Sequence, residues 1–176
     1  MIRRILAFAA LFLLMFLCSA LQRSFLPYFS VMSAIPNLVF TIFFLLIFFE
    51  PKYEYATGIF AVTAAGFLLD IPLSPYFGIA MGSLVAVYAF RKAIIFFLKE
   101  GTGNYRMFHF LALFCAGFLG YQGLLHAGLV LVGRPEPLGL TPVISLLYSL
   151  PFAVAGFYLY NLVAERQAQN KQLKLF

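Results

Sequence analysis

Long apolar runs broken by short polar clusters set the pattern of this chain. The first run covers residues 1–21, opens on Arg3-Arg4 and closes on Cys18-Ser19-Ala20. Such a segment also fits a cleavable secretory signal, but five more apolar segments follow, so a retained first span is the simpler expectation. In the loop over 22–35, Phe25, Tyr28 and Phe29 suit a membrane interface. A second span is expected over 36–49, with Pro36 in the first helical turn, where its missing N–H costs nothing. The connector Glu50-Pro51-Lys52-Tyr53-Glu54 leads to a third span over 53–69 that carries Gly58 and Gly66 and ends at Asp70.

After the turn Ile71-Pro72-Leu73-Ser74-Pro75, a fourth span starts near Tyr76, passes Gly78 and Gly82, and loses its pure apolarity at Arg91-Lys92. Residues 94–98 look like a helical continuation along the surface, and Gly101-Thr102-Gly103-Asn104 is the clearest flexible break. A fifth span is expected over 107–132, a turn at Gly133-Arg134-Pro135-Glu136-Pro137, and a sixth span over 140–163 kinked at Pro151. Residues 165–174 are polar and read as a mobile tail.

Composition explains the pattern. Of 176 residues, 64% are hydrophobic and 10% charged, against about 45–50% and about 25% in soluble domains. At about 20 residues per crossing, six spans consume most of the chain. The expected fold is therefore an all-α integral membrane protein, a single six-helix domain over 1–164 with a polar cytoplasmic tail over 165–176. Cys18 and Cys115 lie inside apolar runs, which excludes a disulfide framework.

The net charge of +6 would suggest nucleic acid in a soluble protein; in this chain it reports topology. Six spans put both termini on one side. With the termini inside, Arg3, Arg4, Lys52, Arg91, Lys92, Lys99, Arg106, Arg166, Lys171 and Lys174 face the cytoplasm, while Arg23 and Arg134 face out. Ten of the twelve basic residues then sit inside, as basic loop residues do in inserted proteins. With no Trp, tyrosines such as Tyr28, Tyr53, Tyr76, Tyr105 and Tyr158 form the aromatic belt.

Small residues recur four apart at Ala61/Ala65, at Gly78/Gly82/Ala86 and at Ala112/Ala116/Gly120, which lets helices approach closely. Packing within the bundle is the simpler expectation, and docking of another protein's membrane helix is the functional one. Asp70 follows Gly66 by four and shares its helix face. A carboxylate in mid-membrane reads as functional; near an interface it can instead anchor the free N–H groups opening span four. That clamp is favoured over a transport role. His109 and His126 are more than four helical turns apart and cannot share a metal. No His-x-x-x-His, acidic pair or Ser-His-Asp set lies in the spans and no Gly-Lys phosphate loop exists, so no catalytic, cofactor or metal site is expected.

Pro36-Asn37, Gly58, Gly66-Phe67-Leu68-Leu69-Asp70, Pro72-Leu73 and Gly78 resemble the core signature of the MreD family, rod-shape-determining membrane proteins of bacteria. Arg134-Pro135-Glu136 before the last span and Pro151 within it look like that family too. The resemblance covers nearly the whole chain. It implies the six-helix fold of the S-components of energy-coupling-factor vitamin transporters, and a multi-pass place in the bacterial cytoplasmic (inner) membrane. It also implies a non-enzymatic scaffold of the cell-elongation (rod) complex. That scaffold would bind the bitopic protein MreC and help couple MreB filaments to the peptidoglycan synthase RodA and its penicillin-binding partner. Asp70 matches the family's Asp, and no catalytic residue carries over. After Asp70 the chain departs from the family, which often has a Gly or Ser pair where Pro72 and Pro75 stiffen the turn. The alternative is a true S-component, a small-molecule binder. Its candidate polar residues are Asn37, Gln122, His126 and Asp70. A membrane hydrolase lacks its residues altogether.

Overall fold

The computed structural model describes residues 2–30, 32–51, 53, 55–73, 76–97, 105–134 and 139–172. Among them every regular element is helical: α1 (Ile2–Ser24), α2 (Leu38–Phe49), α3 (Ala56–Asp70), α4 (Ile79–Phe97), α5 (Tyr105–Leu131) and α6 (Thr141–Gln172), with single 3-10 turns at Leu26–Phe29 and Ile71–Leu73. Four stretches, Ile5–Ser24, Ala56–Leu73, Arg106–Leu131 and Thr141–Ala164, are long and apolar enough to cross a membrane. α2 has 12 residues and rises about 18 Å, less than the ~30 Å hydrocarbon core. α4 carries Arg91 and Lys92 in its second half. The chain is all-α, and its long apolar helices suit a multi-pass membrane protein.

Two expectations need correction. Pro36 lies outside the first turn of α2, because Asn37 takes the N-cap and the helix starts at Leu38. Residues 165–172 continue α6 as regular helix instead of leaving it after 163. Pro151 lies inside α6, whose helix runs through it without a break. The expected break over 101–104, the Ser74-Pro75 turn and Pro135-Glu136-Pro137 lie outside the described residues.

α2 is the centre of the bundle. Phe40, Phe44 and Phe48 lie four apart on it, so they line one face. Phe118, Phe114 and Phe110 of α5 run the opposite way against them. The rings meet edge to face in three successive pairs: Phe40–Phe118 at 5.1 Å, Phe44–Phe114 at 5.4 Å and Phe48–Phe110 at 5.0 Å between centroids. All six rings are buried. Lipid is as apolar as a Phe core, so hydrophobicity alone does not hold helices together there and specific packing must. Each such pair contributes about 0.5–1.5 kcal/mol beyond the area it buries, and the three together fix the register of α2 against α5.

α1 is the peripheral helix, with Leu13, Leu14, Phe16 and Leu17 exposed. Large apolar residues are exposed on every one of the six helices except α2. Exposed apolar residues on five of the six helices mark a surface made for lipid or protein rather than water.

Candidate functional site

Asp70 is the last residue of α3 and is 0% exposed. Its Oδ1 accepts the Ala80 N–H at 2.8 Å and its Oδ2 the Met81 N–H at 3.1 Å. Ala80 and Met81 stand in the first turn of α4, where backbone donors have no partner within the helix and the dipole favours an anion. Gly66, one turn before Asp70, lets the two helices touch. A Cβ on Gly66 would lie 2.8 Å from the Met81 Cα. Arg23 at the end of α1 donates to the Leu68 carbonyl in the last turn of α3, placing a cation where that dipole is negative. α1, α3 and α4 are thus tied together at one end of the bundle, called here the Asp70 end.

Asn37 anchors a second polar network at the same end. It is 7% exposed. Its Oδ1 accepts the Phe40 N–H at 2.9 Å, capping α2, as Asn does well. Its backbone N–H donates to Ser149 Oγ at 2.9 Å, and Ser145 Oγ donates to the Ile35 carbonyl at 2.6 Å, which stitches the chain before α2 to α6. Gln22 Oε1 accepts the Leu38 N–H at 3.1 Å, adding α1. Pro36, buried between these bonds, has no N–H to satisfy. Against this frame lies a cavity of about 310 Å³ lined by Gln22, Asn37, Gln122, His126, Thr141 and Ser145 among others. Three of the four polar residues proposed for a small-molecule site therefore meet in one place. Asp70 is not among its lining residues.

The opposite end holds a second buried carboxylate that the sequence hides. Glu50 sits at the C-cap of α2 with a side chain 0% exposed. Its Oε1 accepts the Gly58 N–H in the first turn of α3 at 2.5 Å. Its Oε2 accepts the Tyr88 hydroxyl at 3.0 Å and pairs with Lys92 Nζ at 2.9 Å. Gly58 has no side chain because the Tyr88 ring and Glu50 fill the space a Cβ would take. Beside this cluster Arg91, 2% exposed, donates to the Phe48 carbonyl at 3.0 Å and lies over the Phe48 ring. Glu50 reads from sequence as part of a polar connector. The available signal was its place at the end of an uninterrupted apolar helix.

The small-residue stripes divide. Ala61 and Ala65 of α3 are buried and pack inside the bundle. Gly78 just before α4, Gly82 and Ala86 of α4, and Ala112, Ala116 and Gly120 of α5 are exposed, which corrects the expectation that they pack within the chain. The reason is helix phase. α4 turns Ala80, Ser83, Leu84, Val87 and Arg91 inward, leaving 78, 82 and 86 on the other side. Nothing lies within 4 Å of a Cβ placed on Gly82 or on Gly120. Gly78 has φ +105°, a left-handed backbone that glycine adopts without strain, and it sets the entry into α4. Ala86, Phe90, Ala116, Gly117 and Gly120 line an apolar groove between α4 and α5.

No protein-family profile, characterised protein or solved structure matches the chain. The residues and their geometry therefore carry the functional case.

Proposed function

We propose that the chain is a six-span protein of the bacterial cytoplasmic membrane with both termini inside, and a non-enzymatic scaffold of the MreD type. Its role is to hold the bitopic protein MreC and so help link MreB filaments to RodA and its penicillin-binding partner during cell elongation. The observation that carries this reading is the groove between α4 and α5. Exposed Ala86, Ala116 and Gly120 line it, with exposed Gly82 one helical turn before Ala86 on the same face, and such residues let a second helix approach the backbone. Small residues on a lipid-facing surface gain nothing from lipid, whereas a partner helix uses them. The basic asymmetry of ten residues against two supports this orientation, which puts Glu50 and Lys92 toward the cytoplasm and Asp70 outside.

The test is affinity purification of the full chain in mild detergent. Co-elution of a bitopic coiled-coil protein, lost in a Gly82→Leu, Gly120→Leu double variant of normal abundance, supports the scaffold. Retention of that partner by the double variant removes the groove from the proposal. Co-elution of an ATPase pair instead identifies a transporter subunit.

A further inference from the structure

We propose that the cavity between α1, the segment leading into α2, α5 and α6 at the Asp70 end binds an uncharged, hydroxyl-rich group, either a free sugar or polyol or the neutral glycosyl headgroup of a lipid. This stands apart from the scaffold proposal, since the cavity and the α4–α5 groove share no lining residue.

Size is the first argument. About 310 Å³ lies at the lower end of small-molecule sites, which run from about 300 to 1,000 Å³. The second is that the frame engages the oxygens of its lining amides and leaves their nitrogens over. Asn37 Oδ1, Gln22 Oε1 and Ser145 Oγ are committed to Phe40, Leu38 and Ile35. The amide nitrogens of Asn37 and Gln22 are left over. Neither they, nor the Gln122 amide, nor the His126 imidazole, makes a hydrogen bond to the protein among the described residues. Asn37 is 7% exposed, yet its amide nitrogen is not among the fully buried atoms that lack a partner, so it is open to what fills the cavity. The cavity is where the partner for its amide belongs.

The lining also selects the class. Among the described residues it contains no Asp, Glu, Lys or Arg, so a carboxylate, phosphate or ammonium ligand would find no counter-ion in them. The described lining contains no Phe, Tyr or Trp either, so a flat aromatic ligand would find no ring there to stack on. What it offers is side-chain amides, an imidazole and hydroxyls. Amides carry a donor and an acceptor side by side, which matches neighbouring hydroxyls that each donate and accept. Ile35, Leu125 and Leu129 supply apolar contact for the carbon skeleton.

The experiment measures saturable binding of radiolabelled D-glucose and myo-inositol to the full chain in nanodiscs. A parallel set of nanodiscs contains monoglucosyldiacylglycerol and is read by the melting temperature against plain phosphatidylglycerol discs. The saturable signal separates a site from the unsaturating stabilisation that sugars give any protein by exclusion from its surface. At least one neutral probe is expected to bind. Gln122→Leu and His126→Leu are each expected to weaken it about 3–10-fold, with the ligand-free melting temperature unchanged because neither side chain holds the frame. Thr141→Val reads the same loss from α6 if either variant fails to fold. Binding of the free sugars identifies a soluble ligand, and a shift with the glucolipid alone identifies a headgroup. The proposal falls if no probe binds saturably, if the substitutions leave binding intact, or if glucose 6-phosphate binds more tightly than glucose.

Discussion

Asp70 and Glu50 each stand at the end of one helix and accept N–H groups from the start of the next. Taking a carboxylate out of water is costly unless hydrogen bonds and opposite charge replace the water. At Asp70 two backbone donors and the dipole of α4 do so; at Glu50 a backbone donor, a phenol and an ammonium do so. Asp70 uses both oxygens, so Asp70→Asn keeps one acceptor and turns an amide NH₂ toward the other donor. The expected loss is about 1–3 kcal/mol, the cost of one buried donor left unpaired. Asp70→Leu strands both donors and should lose roughly twice as much. Detergent melting and protein level check the order. If Asn abolishes function at wild-type abundance and stability, the charge itself is used, as in proton or cation coupling. Asp70 was legible as an acid alone against an apolar run, whereas a span starting at Pro36 places Asn37 inside the helix and misses its cap role. Glu50 was not legible, because Pro51, Lys52 and Glu54 make it look like loop.

Among the elements, α3 and α4 form the close pair, and small residues act on them in opposite ways. Gly66→Ala puts a methyl group against the Met81 backbone, where no side chain can rotate away. The helices must part, at an expected cost of about 1–3 kcal/mol, and the Asp70 bonds should weaken with them. The double variant Gly66→Ala, Asp70→Asn should then be less damaging than the sum of its parts, a non-additivity expected of residues that share one contact. By contrast Gly82→Leu meets open space, so melting should stay at wild type while partner retention falls. Equal destabilisation at both glycines would contradict this division. Four-residue spacing alone could not separate them, since it shows that residues share a face and not which way the face turns. The aromatic ladders could have been read: Phe at 40, 44 and 48 and at 110, 114 and 118 is a periodic signal, and its antiparallel match predicts the α2–α5 pairing.

At the scale of the whole molecule, hydrophobic runs located all six helices to within a few residues, because each is bounded by a charge, a proline or a glycine. They failed at the end of α6, where polarity was read as loss of structure although Glu165 to Gln172 contains no helix breaker. The topology is open to direct measurement. On a background lacking Cys18 and Cys115, a cysteine at Gln167 should react with a membrane-impermeant maleimide only after the cell is opened, and one at Arg134 should react from outside. Labelling of Gln167 in intact cells would reverse the orientation.

α6 has 32 residues, about 48 Å by helical rise, while its apolar stretch ends at Ala164. The last eight residues to Gln172 extend it by about 12 Å. Eight flexible residues would let an attached group wander about 16 Å in every direction. A helix instead keeps that group at one height and one bearing. It behaves as a stiff arm clamped at its base, able to carry torque as well as tension between the bundle and whatever engages it.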